Sequence, residues 1–292
     1  MYRFVAVFAL GILLAACAPT SNEKPLLTAE MILPNPDTYG QRDRNYGLTE
    51  SSDGSIRAFV GQRGDDTNIY VSRKNGTVWT DPVALDFPRR EVMMSPHFSP
   101  YDGRFYFSTD AQHPDRVGRE DLNIWSAILN DDNSLTDARP LPDSINTGGD
   151  EDSFALSERG AFIFTSNHTR GVGGFDIYYG NAPEQGDTWE YQPMPHNTSL
   201  ADTQVAMLPS GESAFYYAHL PDVLGVVDLF RIDRDGESWS QPVNLGPDIN
   251  SDGVDYGAGF SGDGKRFYFS RDGQLMQIDM QVALDAAKAD VN

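Results

Sequence analysis

Ser95-Pro96-His97-Phe98-Ser99-Pro100-Tyr101-Asp102-Gly103-Arg104-Phe105-Tyr106-Phe107-Ser108 sets an Asp-Gly pair between two apolar runs. Glycine takes positive φ at no steric cost, so Asp-Gly in that setting predicts a hairpin. The arrangement returns along the chain. Turn glycines stand at Gly54, Gly103, Gly160, Gly211 and Gly264, at spacings of 49, 57, 51 and 53 residues. Asp precedes three of them, as Asp53, Asp102 and Asp263. Aromatic runs follow the last four: Phe105-Tyr106-Phe107, Phe162-Ile163-Phe164, Phe215-Tyr216-Tyr217 and Phe267-Tyr268-Phe269. Such runs fit strands packed on both faces.

Further strands recur beyond each hairpin. A third strand opens four times, as Asn68-Ile69-Tyr70, Asn123-Ile124-Trp125, Asp176-Ile177-Tyr178 and Asp228-Leu229-Phe230. Trp79, Trp189 and Trp239 mark a fourth, and connections repeat as Ile145-Asn146-Thr147 and Ile249-Asn250-Ser251. Four short strands per period of about 50 residues, with little helix, predict blades of a β-propeller. The fold class is therefore all-β. Five blades fit the spacing, and six fit less well because too little chain remains. The fifth blade has strands near residues 256–261, 267–271 and 275–280 but no fourth. The stretch 26–33 is expected to supply it and close the ring, hiding an edge that otherwise invites aggregation. Residues 26–281 are assigned to the propeller and 282–292 to a short helix or tail.

These motifs resemble the TolB-type (WD-like) propeller repeat. Ser95 to Gly103 matches its Pro-x-Phe-Ser-Pro-Asp-Gly motif with Tyr101 inserted, and Gly171 to Tyr178 matches its Gly-rich loop and third strand. The resemblance covers roughly residues 44 to 280 and departs at Ser210-Gly211, where the Asp is lost. It implies a rigid propeller that binds a periplasmic partner. No OmpA-type domain accompanies it here, so direct peptidoglycan binding is not implied.

The first residues read as an export signal: Arg3, then an apolar run from Phe4 to Leu14. A spanning helix needs about 20 apolar residues, and this run is shorter. Leu14-Ala15-Ala16-Cys17 resembles the lipobox of bacterial lipoproteins. That resemblance implies cleavage after residue 16, acylation of Cys17, and a tether over 17–25. Ala18, where enteric inner-membrane lipoproteins carry Asp, resembles the outer-membrane class. The expected location is the outer membrane, lipid-anchored and facing the periplasm.

Cys17 is the only cysteine, so an acylated chain has no thiol for a disulfide or thiolate chemistry. A formal charge of −21 repels phosphate backbones and makes nucleic acid a poor partner. No Gly-x-Ser-x-Gly, His-Glu-x-x-His or phosphate-loop motif is present. Catalysis would need scattered residues. Glu151, Asp202 and Asp255 occupy one repeat position at the entry to the innermost strand. They could converge on the channel, bind Ca²⁺ or act as a glycosidase pair; alternatively each caps a loop by accepting backbone N–H bonds. His97 stands where other blades have Thr49, Ala155, Ala206 and Gly259. It either reaches into the channel or bonds a neighbouring blade. No cofactor is expected beyond Ca²⁺ at those carboxylates. Asp233-Arg234-Asp235-Gly236 reads as a hairpin turn.

The long loops 111–121, 167–174 and 219–227 are binding candidates, because binding favours loops on a rigid scaffold. Their named residues are His113, Arg116, His168, Arg170, Leu220 and Leu224. The expected function is a membrane-anchored binding or scaffolding module for an envelope protein or cell-wall glycan. The alternative is a carbohydrate-active hydrolase or lyase using the channel carboxylates.

Overall fold

Alternating strands and tight turns assemble into five small antiparallel sheets arranged as a five-bladed β-propeller. The computed structural model describes residues 29–32, 44–168, 170–184, 186–220 and 223–286. The chain enters through β1 (Glu30–Met31). Blade 1 comprises β2 (Arg44–Glu50), β3 (Ile56–Arg63), β4 (Asp66–Asn75) and an outer strand split into β5 (Val78–Trp79) and β6 (Val83–Ala84). Blade 2 comprises β7 (Met93–Phe98), β8 (Phe105–Thr109), β9 (Asn123–Leu129) and β10 (Leu135–Pro140). Blade 3 comprises β11 (Glu151–Leu156), β12 (Ala161–Ser166), β13 (Asp176–Asn181) and β14 (Glu190–Pro193). Blade 4 comprises β15 (Thr203–Met207), β16 (Ser213–Ala218), β17 (Asp228–Asp235) and the split outer pair β18 (Ser238–Trp239) and β19 (Val243–Asn244). Blade 5 comprises β20 (Asp255–Phe260), β21 (Arg266–Arg271) and β22 (Gln274–Asp279), after which α1 (Met280–Asp285) begins.

The ring closes as the repeat pattern requires. β1 pairs antiparallel with β22, Glu30 opposite Gln277 and Met31 opposite Met276, and Ile32 N–H donates to Leu275 C=O at 2.9 Å. The paired segment is shorter than the expected 26–33. Residues 26–28 and 33 lie outside the described residues, as do the signal segment, Cys17 and the tether. The expected C-terminal element is a helix that starts two residues early, at Met280. Asp279 caps it by accepting from Gln281 N–H at 2.9 Å.

The innermost strands β2, β7, β11, β15 and β20 meet around the axis. The hairpins after them, with the turn glycines, form one face of the disc, here the turn face. The loops between second and third strands, and the crossovers between blades, form the opposite loop face. At the axis there is no room for a side chain beyond Gly259, where a Cβ would lie 1.8 Å from Leu48 C=O. Between blades, aromatic side chains fill the space. Phe59, Phe105, Phe107, Phe162, Phe164, Phe215, Phe267 and Phe269 are fully buried. Each contributes about 1.5–3 kcal/mol on burial.

The recurrent asparagines staple crossovers to third strands. Asn146 accepts from Ile124 N–H at 2.8 Å and donates to Ile124 C=O at 3.0 Å. Asn197 does the same to Ile177, and Asn250 to Leu229. A side-chain amide thus replaces a missing strand partner on both backbone groups.

Cutting the chain at residue 33 removes β1 and exposes the edge of β22. Thermal unfolding should fall by roughly 5 °C for the lost backbone hydrogen bonds. Light scattering should show self-association through the free edge.

Candidate functional site

Every innermost strand carries one extra residue. The register slips between Tyr46 and Thr49, Met94 and His97, Glu151 and Phe154, Thr203 and Ala206, and Tyr256 and Gly259. Four of these bulges place a residue at positive φ: Gly47 (62°), Ser95 (55°), Gln204 (52°) and Gly257 (65°). An extra residue reverses which side the following side chains face. Met93 and His97 are four apart on β7, yet their partners Thr109 and Tyr106 are three apart on β8. Residues at the strand entry therefore point away from the space that His97 faces.

The three candidate carboxylates sit before the slip, at the loop face, and they turn into the crossovers. Glu151 Oε1 accepts from Thr147 Oγ1 at 2.6 Å and Ser166 Oγ at 2.8 Å. Asp202 Oδ2 accepts from Thr198 N–H at 2.5 Å. Asp255 Oδ2 accepts from Ser251 N–H and Oγ, both at 2.7 Å, and its Oδ1 meets Arg271 Nε at 3.0 Å. All three are buried and cap the residue four positions upstream. They do not converge, and none reaches His97. Burial, the dominant influence, pushes the Glu151 carboxyl up from 4.5 to about 7, against hydrogen bonds from Thr147 and Ser166. Burial also raises Asp202. Among the described residues, no three His, Asp or Glu side chains come together as a cation site.

His97 lies beyond the slip and lines a funnel of ≈ 210 Å³ that opens on the turn face. Its Nε2 lies 3.0 Å from Leu156 N and 3.3 Å from Leu156 O of blade 3, so the ring bonds that residue's backbone in either tautomer. Burial holds the imidazole down at about 4, so it is neutral at physiological pH. Both sequence alternatives for His97 are realised at once: it faces the channel and bonds the next blade. Phe98, Pro100, Met207, Pro209 and Phe260 make most of the funnel wall apolar. Glu50 also lines it, but its carboxylate is occupied by Tyr268 O–H at 2.7 Å and Gly262 N–H at 3.1 Å.

Sequence reasoning missed the axial acid. Asp152 occupies a position that is Tyr46, Met94, Thr203 and Tyr256 in the other blades, and that contrast was the available signal. Its Oδ1 accepts from Ser95 Oγ at 2.9 Å and its Oδ2 from Thr203 Oγ1 at 2.6 Å, tying blades 2, 3 and 4 together. Burial raises its pKa from that of an ordinary aspartate, against the hydrogen bonds from Thr203 and Ser95. The rings of Tyr46 and Tyr256 stand 5.4 Å apart at the same level.

The loop candidates divide. Arg116 is spent internally: it donates to Thr147 C=O at 2.7 Å, to Asn146 C=O and to the Asp143 carboxylate, clamping the crossover from blade 2 to blade 3. His113 is buried, and its Nδ1 accepts from Asp115 N–H at 3.2 Å. Leu220 packs against the blade 3–4 core. Leu224, by contrast, is 49% exposed, with Val226 at 61% on the same loop and Val172 at 68% on the equivalent loop of blade 3. His168 and Arg170 border a cleft of ≈ 1040 Å³ on the flank of blade 3.

No family model and no curated protein matches the chain. Among solved structures, TolB from Acinetobacter baumannii is similar at 15% identity and a TM-score of 0.50, over 86% of this chain and 63% of its own. The chain thus spans less than two thirds of that protein's length. A thermostable family-43 glycoside hydrolase is similar at 11% identity and a TM-score of 0.53, over 82% of this chain and 89% of its own. At these identities the likeness shows the propeller fold alone.

Glu151 gives a pH signature. Its folded pKa lies above the unfolded one, so its stabilising contribution is complete below about pH 4.5 and is lost as pH rises through about 7. The difference in melting temperature between wild type and Glu151→Gln should shift against wild type across that window, as read by calorimetry at matched ionic strength.

Proposed function

We propose that this chain is a lipid-anchored periplasmic binding module that docks an envelope protein on the loop face of blades 3 and 4. The observation that carries the reading is the matched presentation of two exposed aliphatic side chains. Asp176 opens β13 and accepts from Val172 N–H at 2.9 Å and Gly173 N–H at 3.1 Å. Asp228 opens β17 and accepts from Leu224 N–H at 2.7 Å and Gly225 N–H at 3.2 Å. Each carboxylate fixes the residue four positions upstream, so Val172 and Leu224 project from equivalent loop positions.

The neighbouring crossovers hold these loops. Gly174 N–H donates to Leu200 C=O at 2.7 Å, and Val226 N–H to Gly253 C=O at 2.8 Å. Leu200, itself 52% exposed, extends the apolar surface from one loop to the next. Rigid exposed apolar residues on adjacent loops favour protein contact, because little ordering entropy is lost on binding.

The anchor agrees with that face. β1 runs antiparallel to β22, hence from the turn face toward the loop face. A chain tethered through acylated Cys17 would join the disc from the turn-face side and leave the loop face turned away from its membrane. Several acyl chains would hold it there stably. The hydrolase or lyase reading draws no support from the site geometry, since Glu151, Asp202 and Asp255 are committed to crossovers and lie apart from the funnel.

Cross-linking in intact cells, followed by detergent pull-down of the full acylated chain, tests the reading. Wild type should retain one stoichiometric protein partner after cell-wall digestion. Val172→Asp with Leu224→Asp should lose it while keeping the wild-type melting temperature. Recovery of wall fragments alone, or equal recovery by the double variant, would contradict the reading. Cys17→Ser should move the protein out of the membrane fraction.

A further inference from the structure

We infer that the flank cleft of blade 3 is a binding site for a neutral oligosaccharide, next to the protein-docking loop face but lined by neither Val172 nor Leu224. Trp189, immediately before the outermost strand β14, and Tyr191 and Pro193 on it line this cleft. Side chains two apart on a strand face the same way and lie about 6.6–6.8 Å apart. A row of ring side chains at that spacing offers successive flat platforms to the faces of linked sugar rings.

The platforms are held from behind. Trp189 stands edge-on to Phe162 at 5.0 Å and to Phe154 at 5.8 Å. Tyr191 stands edge-on to Phe164 at 4.9 Å and to Tyr178 at 5.4 Å. Rings fixed this way need no reordering to meet a ligand. The facing wall is the crossover that Arg116 clamps. Gly149 lets this wall approach, since a Cβ there would fall 2.5 Å from Asn167 Oδ1 and 2.8 Å from His168 N.

Unused polar groups point to hydroxyls. Tyr178 lines the cleft and is 2% exposed, and its phenol oxygen is buried with no hydrogen-bond partner. A buried polar atom left so is costly and calls for a ligand or water. His168 Nδ1 accepts from Arg170 N–H at 3.0 Å, so its Nε2 carries the proton, and that N–H is also unpartnered. Arg170 adds a donor and Glu190 an acceptor at the rim. Sugar hydroxyls both donate and accept, and so satisfy this mixed set. A proline-rich peptide would leave the Glu190 carboxylate without a donor. The overall charge of −21 disfavours an acidic polysaccharide.

Titration calorimetry of the full detergent-solubilised protein tests the site, with cellohexaose, maltohexaose and chitohexaose as neutral probes. Hexagalacturonate and decaproline serve as the acidic and peptide comparisons. At least one neutral hexasaccharide should bind saturably, and Tyr191→Ala should weaken it about tenfold, the loss of one aromatic contact. Arg170→Ala and Glu190→Gln are exposed, leave the core intact and should weaken it without changing the melting temperature. No binding of any neutral probe, tighter binding of hexagalacturonate or decaproline, or neutral-sugar affinity unchanged in all three variants would overturn the inference.

Discussion

Five twisted sheets close a ring only if their innermost strands meet at the axis, and that crowding governs the rest of this molecule. Gly259 has to be glycine because Leu48 C=O occupies the space a Cβ would take. The same crowding accompanies the extra residue in every innermost strand. The bulge twists each strand as it approaches its neighbours and is a recurrent built feature, not an irregularity of one blade. Ser95 and Gln204 hold positive φ without being glycine, a strain that the surrounding ring sustains.

The bulge then sorts the chemistry. Residues before it turn into crossovers, where Glu151, Asp202 and Asp255 each satisfy a loop. Residues after it face the funnel, where His97 is neutral and the walls are mostly apolar. Between the two lies Asp152, bonded to Ser95 and Thr203 across three blades. Its burial, which raises its pKa, is tolerable because both oxygens are hydrogen-bonded. Each of the three carboxylates before the bulge turns at least one oxygen into a crossover, while Glu151 Oε2 and Asp202 Oδ1 stay buried without a partner; the exposed surface of the loops and the flank is what the fold offers to partners.

Much of this was legible in the sequence because the repeat is a physical period. The turn glycines, the aromatic second strands and the stapling asparagines each recur where a blade needs them. They gave the five blades, the missing fourth strand of the last blade and its N-terminal replacement. The direction of the carboxylates was not legible. A four-residue separation between Met93 and His97 reads as one face of a strand, and only the cross-strand register reveals the slip that reverses it. Arg116 was indistinguishable from a binding residue for a similar reason: its partners are mainly backbone carbonyls of a crossover 30 residues downstream, which leave no sequence mark. Asp176 and Asp228 were visible as repeat positions, but their hold on Val172 and Leu224 required the loop geometry.

The most direct measurement is amide hydrogen exchange on the acylated protein in native envelope membranes, compared with the purified protein. The account predicts slowed exchange confined to residues 170–175 and 223–227, with the turn-face hairpins after β7, β11 and β15 unchanged. Protection at those hairpins and the funnel, with the two loops exchanging as freely as in the purified protein, would contradict it.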